Sequence, residues 1–455
     1  MAGIFARLAL LPHGWQQDVR INITDGLISD VAPQSKAQPG DSLVDTLLPA
    51  MPNLHSHTFQ RAMAGMTEQR GQNADSFWTW RDLMYRFVQY LTPEDVEAIA
   101  SFAFMEMQEH GFGSCAEFHY IHHAASGRHY ANVSELAERV MSAADATGIG
   151  LTLLPVLYSY AGLGHQPLAD SQLRFENSLA EFLKLRESAA SSLHRNLPAD
   201  ARIGVAPHSL RAVSAEDLNS LSSLFRSQPF HIHVAEQIKE VEDVFAATGQ
   251  RPVEWLLNNY RIDHNWCLIH ATHMTATEIK AMATSGVVAG LCPITEANLG
   301  DGIFEARNYI GASGAIGIGT DSNVNISVNG ELMQLEYSQR LRERERNVLA
   351  MGPGSTGTNL YARALSGGAQ ALGRKCGSIA KGQLADLVAI NSHDTQLLAM
   401  KPDQLIDGWI FATSGNVVTD IWSAGRHCVT QGRHAKRDEI EEDYRKTLTR
   451  LAAAL

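Results

Sequence analysis

Between residues 50 and 325, short apolar runs alternate with longer amphipathic segments, and the number of alternations constrains the fold more than any other feature of the chain. Strand-like runs fall at 47–53, 114–119, 150–158, 203–207, 230–235, 266–270, 287–292 and 315–320. Segments of helical periodicity lie between them, at 93–110, 133–147, 215–227 and 253–259. Eight such alternations predict an α/β fold of the (β/α)8 TIM-barrel type rather than an open doubly wound sheet. The weakest link is the connection from the seventh run to the eighth, where 295–314 reads partly as loop.

The two ends follow another rule. Residues 15–33 alternate apolar and polar side chains around Asp25-Gly26, a hairpin signature. Residues 384–390 and 417–430 repeat the pattern, with Ala424-Gly425 as the turn. A chain of 455 residues is long enough for a second unit. The expectation is a small β-sandwich domain built from 1–49 and 376–455, beside a catalytic barrel of 50–375. The net charge of −12 argues against a general nucleic-acid surface. No apolar run has the length of a membrane span or a secretory signal. The five cysteines are scattered without a Cys-x-x-Cys, as expected of core residues in a reducing cytoplasm.

Barrels of this type carry their chemistry at the C-terminal ends of the strands. His55-Ser56-His57 lies at the end of the first run, and an i, i+2 spacing in an extended segment turns both imidazoles to one side. The fourth run ends in His208 with Arg211 beyond it, the fifth in His233-Val234-Ala235-Glu236, the sixth in His270 and the eighth in Asp321. Three imidazoles and a carboxylate around one divalent ion leave a position open for water, which a hydrolytic site requires. His208 reads equally as a strand-end cap, and His231, facing away from His233, as a packed or exposed residue. The group His119, His122 and His123 lacks a carboxylate-rich partner and is set aside as a second metal site. Lys436-Arg437 and the run 340–346 read as solvated helix faces.

The order of these residues, with the segments 316–322 (IGIGTDS) and 377–388 (GSIAKGQLADLV), resembles the amidohydrolase superfamily over nearly the whole chain. Strand 4 ends in His208 where two-metal members carry a carbamylated lysine, so the resemblance is to the one-metal deaminases, whose strand 5 has His-x-x-Glu. Within them, 51–65 (MPNLHSHTFQRAMAG) and 77–81 (FWTWR) are similar to the family of N-formimidoyl-L-glutamate deiminases of bacterial histidine degradation. One departure is Ala50, where glycine is commoner. The resemblance implies one divalent metal ion, Zn2+ first, held by His55, His57, His233 and Asp321. It implies catalytic roles for Glu236, His270 and Asp321, and substrate contacts at Gln60, Arg81, Tyr120, His208 and Arg211. Hydrolysis by metal-bound hydroxide would give N-formyl-L-glutamate and ammonia, in a cytoplasmic homodimer acting on a small dicarboxylate. The alternatives are a nucleobase or S-adenosylhomocysteine-type deaminase on the same metal site, and an amidohydrolase-like scaffold without activity.

Overall fold

The computed structural model describes residues 3–70 and 75–454. Eight strands form the barrel: Met51–Ser56, Phe112–His119, Gly150–Leu157, the pair Arg202–Ile203 and Ala206–Pro207, Phe230–Val234, Trp266–His270, Val288–Leu291 and Ala315–Ile318. Successive strands pair in parallel. Bridges from Val205 to Phe230 and Ser209 to His233 join the fourth strand to the fifth, and one from Ser56 to Asp321 closes the eighth onto the first. Every residue of the first three strands is buried, as in a parallel sheet covered on both faces. Helices return the chain between strands. The one at Pro93–Glu109 begins where Thr92 caps Asp95 and proline occupies the first turn.

Three expectations are corrected in detail. The apolar run 47–53 belongs to two sheets: Ser42–Pro49 is a strand of the terminal sheet, and the first barrel strand starts at Met51. The break is at Ala50, whose N–H donates to Asp386 O at 2.9 Å. An uninterrupted apolar run carries no mark of where it leaves one sheet for another. Strand 4 is split around Gly204, where a Cβ would lie 2.3 Å from Pro229 O and 2.7 Å from Leu154 Cδ2, so the backbone passes where only glycine fits. The loop-like 295–314 holds two short helices, Pro293–Leu299 and Ala306–Gly311. Ala50, the departure noted above, sets its methyl over Gly113, at which a Cβ would meet Ala50 Cβ at 2.7 Å.

Both termini contribute to one hydrogen-bonded sheet of eight strands. In order these are Arg433–His434, Arg426–Thr430, Val418–Ser423, Leu387–Ile390, Ser42–Pro49, Ile4–Leu11, Gly14–Thr24 and Leu27–Ala32. Its turns are those expected: Asp25-Gly26 and Ala424-Gly425 all have positive φ, the backbone of a tight hairpin. Alternation along the strands divides two cores. Leu8, Leu48 and Val388 pack into the barrel-side core, while Ala9, Leu47, Leu387 and Ala389 join Ile4, Ile21 and Trp422 in a second one.

A buried cation ties these parts together. Arg374, after the last barrel helix, donates to Asp200 O at 2.6 Å, Asp200 Oδ2 at 3.1 Å and Asp386 Oδ2 at 3.2 Å. Arg426 of the terminal sheet pairs with the other Asp200 oxygen at 2.8 Å. Gly150 makes room for it, since a Cβ there would come within 2.4 Å of Arg374 Nη2. The C-terminal helix Arg437–Ala454 is anchored rather than merely solvated: Arg437 pairs with buried Glu109, and Tyr444 stacks on Phe102 at 3.9 Å. Arg340, in the run read as solvated, likewise pairs with buried Glu336 at 2.7 Å.

Candidate active site

At the C-terminal mouth of the barrel the strand ends bend sharply. Ala235, His270, Ala271, Asp321 and Asn323 all adopt positive φ, which costs free energy in residues other than glycine. Buried hydrogen bonds hold these bends. Asn53 on strand 1 donates to Thr320 Oγ1 at 2.7 Å and accepts from Thr320 N at 3.1 Å. Asn323 donates to His57 O at 3.1 Å and Ser56 Oγ at 3.1 Å, clamping strand 8 to strand 1. At the end of strand 5, Glu240 takes the N–H groups of Ala235 (2.9 Å) and Glu236 (3.1 Å) on its two oxygens. Glu117 accepts from Thr58 N at 2.8 Å and Thr58 Oγ1 at 2.7 Å, and burial pushes its carboxyl up to about 7.

Three imidazoles meet on this frame. His55 and His233 place their Nε2 atoms 3.0 Å apart, and the Nε2 atoms of His55 and His57 each lie 3.4 Å from Asp321 Oδ1. The protons are assigned from the neighbours: His57 Nδ1 donates to Phe118 O and His233 Nδ1 to His208 O, both at 3.0 Å. The Nε2 lone pairs of His57 and His233 are therefore bare and aimed into the same space. Burial keeps all three rings neutral, His55 down to about 3. Burial would raise the Asp321 carboxyl, but the bond to His55 and the surrounding imidazoles hold it well below the usual range. Neutral imidazoles converging beside an ionised carboxylate fit a divalent cation.

His270 faces the same space from strand 6. Its Nδ1 is held by Glu296 Oε1 at 3.2 Å, while Nε2 lies 3.7 Å from Glu236 Oε1 and 3.8 Å from Asp321 Oδ2. Burial pushes the Glu236 carboxyl up to about 7, with His270 pulling against it and Asp321 adding to it.

The other residues singled out by sequence line one cleft above this cluster. Gln60 donates to Tyr120 OH at 2.9 Å. Arg81, on the helix Phe77–Val88, lies over Trp78 (4.5 Å) and Tyr85 (5.3 Å). Its Nε and that of Arg211 are buried without a hydrogen-bond partner among the described residues. His208 lines the cleft, its backbone oxygen orienting His233. His55 lies beneath the cleft floor, fully buried. Trp80 lines the cleft and Trp78 does not. His231 is packed, its Nε2 bonding Ala371 O at 2.8 Å. His122 and His123 are committed to Val156 O and Glu176 O. Among the described residues the side chains grouped to hold a metal are at the barrel mouth: His55, His57 and His233, and beside them His270, Cys292 and Asp321.

Sequence reading missed Glu240, Glu296, Asn323, Tyr85 and Tyr158. Glu240 had a signal, an acidic residue in the first turn of the helix after strand 5. Tyr158 had one too, as the last residue of the run 150–158, while Tyr85 had none, because the strand-end rule does not reach the helix Phe77–Val88 that brings it to the cleft.

Residues 46–428 match the amidohydrolase family, and the chain belongs to it. Residues 1–45 match the N-terminal domain of formimidoylglutamate deiminase HutF. The chain is 47% identical over 454 residues to the formimidoylglutamate deiminase of Pseudomonas aeruginosa, covering 99% of this chain and 100% of that protein. It is similar to the crystal structure of an amidohydrolase from Brucella melitensis, with a TM-score of 0.95, 48% identity, and 99% and 100% of the two chains covered. An adenosine deaminase from Xanthomonas campestris, solved with bound zinc, shares the fold at a TM-score of 0.83 and 21% identity, covering 99% of this chain and 98% of that one.

Proposed function

We propose that the chain hydrolyses N-formimidoyl-L-glutamate to N-formyl-L-glutamate and ammonia, a step of histidine degradation. The observation that carries this reading is one cleft that sets two arginines above a cluster of neutral imidazoles and carboxylates. Full-length similarity to a formimidoylglutamate deiminase supports it. The arginines suit the two carboxylates of a glutamyl group, which guanidinium recognises bidentately.

His55, His57, His233 and Asp321 would hold one divalent ion, with zinc suited to a nitrogen-rich donor set. Such an ion supplies the Lewis acidity that makes water a nucleophile near neutral pH. Asp321, ionised at the floor, takes the proton of the attacking water. Glu236, whose carboxyl is pushed up to about 7, can hold a proton and deliver it to the departing nitrogen, so that ammonia rather than amide anion leaves. His270, fixed by Glu296, donates to the oxygen that develops charge at the formimidoyl carbon. Gln60, Tyr120 and His208 add hydrogen bonds, and Arg81 and Arg211 bind the carboxylates. The water oxygen ends in the formyl group and the imino nitrogen leaves as ammonia.

The test is ammonia release from N-formimidoyl-L-glutamate compared with S-adenosylhomocysteine and cytosine. Turnover of a nucleoside or base with none of the formimidoyl compound overturns the assignment. Metal analysis is expected to find one divalent ion per chain, since His208 stands where a two-metal site needs a bridging ligand; two per chain would contradict this. Arg211→Ala is expected to raise KM for the dicarboxylate by about 10- to 150-fold, the equivalent of losing a charge-assisted pair at roughly 1.5–3 kcal/mol. An unchanged KM would remove Arg211 from the carboxylate site.

The same reading places the domain boundaries at 49/50 and 375/376, supported by the strand break at Ala50 and the strands that both termini give to one sheet. It also places the enzyme in the cytoplasm as a homodimer. Five buried, unpaired cysteines support the first of these, and family resemblance alone supports the second.

A further inference from the structure

Beside the two arginines the cleft wall carries two phenols, Tyr85 and Tyr158. Behind them stands Gln172, buried, whose amide orientation is fixed from outside the trio. Its Oε1 accepts the backbone N–H of Ala169 at 3.1 Å, so its NH2 must face the phenols. Gln172 Nε2 donates to Tyr158 OH at 2.9 Å and to Tyr85 OH at 3.3 Å. Both phenol oxygens are thus acceptors toward the interior, and their protons must be donated elsewhere. The Tyr85–Tyr158 oxygen separation of 3.5 Å is at the outer limit of a hydrogen bond and can use at most one of the two. The remaining direction is the cleft, where the Arg81 guanidinium lies 5.3 Å from the Tyr85 ring centre and Arg211 lines the same space.

We infer that Tyr85 and Tyr158, polarised by Gln172, are specificity-determining residues that donate hydrogen bonds to a substrate carboxylate beside Arg81 and Arg211. This rests on the reading that the substrate carries a glutamyl dicarboxylate. A guanidinium supplies charge to any anion nearby. Two phenol protons of fixed direction add geometry, and so select a carboxylate at one position over an anion placed elsewhere. Gln172 touches no substrate and acts through the phenols, as a positioning residue.

Binding of N-formyl-L-glutamate, measured by calorimetry, tests the phenols without requiring turnover. Tyr158→Phe and Tyr85→Phe are expected to weaken it about 5- to 20-fold each. Gln172→Glu, which keeps the shape but accepts the phenol protons, is expected to weaken it by at least as much. With N-formimidoyl-L-glutamate the phenylalanine variants should raise KM and leave kcat within about threefold, a split that general loosening of the fold would not give. N-formyl-4-aminobutyrate lacks the α-carboxylate and N-formyl-L-2-aminobutyrate the γ-carboxylate; the variants should bind one of these as well as the wild type does. The inference is overturned if both phenylalanine variants bind N-formyl-L-glutamate within twofold of wild type, or if the penalty is equal for both monocarboxylates. Wild type that binds N-formyl-L-glutamate through the phenols but releases no ammonia from the formimidoyl compound would overturn the proposed function and leave the phenols standing. Wild type that binds no dicarboxylate overturns both.

Discussion

Glu236→Gln is expected to keep the metal and bind substrate, yet lose about 10²- to 10⁴-fold in kcat, the usual worth of a positioned proton-transfer group. The substitution is nearly isosteric, and the backbone at 235–236 stays where Glu240 holds it. What changes is that an amide cannot pass a proton to the departing nitrogen. His270 cannot take over readily, because its Nδ1 is tied to Glu296 and its Nε2 looks toward Asp321 as well as Glu236. Ammonia release under steady state, with metal analysis on the same preparation, checks both halves. Near-wild-type kcat would take Glu236 out of acid–base work.

Arg374→Met is expected to lower stability by roughly 3–5 kcal/mol, the cost of leaving a buried ion pair with one partner. Two buried carboxylates lose their shared cation, and Asp386 suffers more because Asp200 keeps Arg426. Burial would raise the Asp200 carboxyl, but Arg426 and Arg374 outweigh it and its pKa lies below the ordinary value. A group depressed in the folded state contributes fully above its unfolded pKa of ~3.9 and loses that contribution as pH falls through the folded value. The gap in Tm between wild type and variant, read by calorimetry, should therefore be wide at pH 7 and narrow in acid below about pH 4. A variant within a degree of wild type at pH 7 would show that the pairing is energetically idle. Because Asp200 precedes the fourth barrel strand and Asp386 precedes a terminal strand, the loss should be felt as one transition across both parts.

The barrel was legible because parallel strands buried on both faces are written as apolar runs at regular intervals. The cluster at the barrel mouth was legible for a related reason: strand ends are short and ordered, so His55, His57, His233, His270 and Asp321 could be read off one after another. Where burial is continuous the text goes silent, as at Ala50, where one run serves two sheets. Residues that support others across the barrel were also invisible. Glu296 reaches His270 across 26 positions and Asn323 reaches Ser56 across 267, and no local pattern encodes such pairs. Arg437 read as solvated because a cation in a charged helix looks the same whether its partner is water or Glu109.

The sheet shared by the two termini has a consequence for synthesis. The strand Ser42–Pro49 takes Leu387–Ile390 as its antiparallel neighbour, so about 340 residues must be translated before that edge is covered, roughly 20–70 s at ordinary elongation rates. Until then the nascent chain exposes an apolar β edge, the kind of surface that pairs with other chains. A chain interrupted within the barrel would keep its hairpin at Gly14–Ala32 but never close the sheet. This protein cannot mature from its N-terminus onward; its first folded-looking strands are finished by nearly its last.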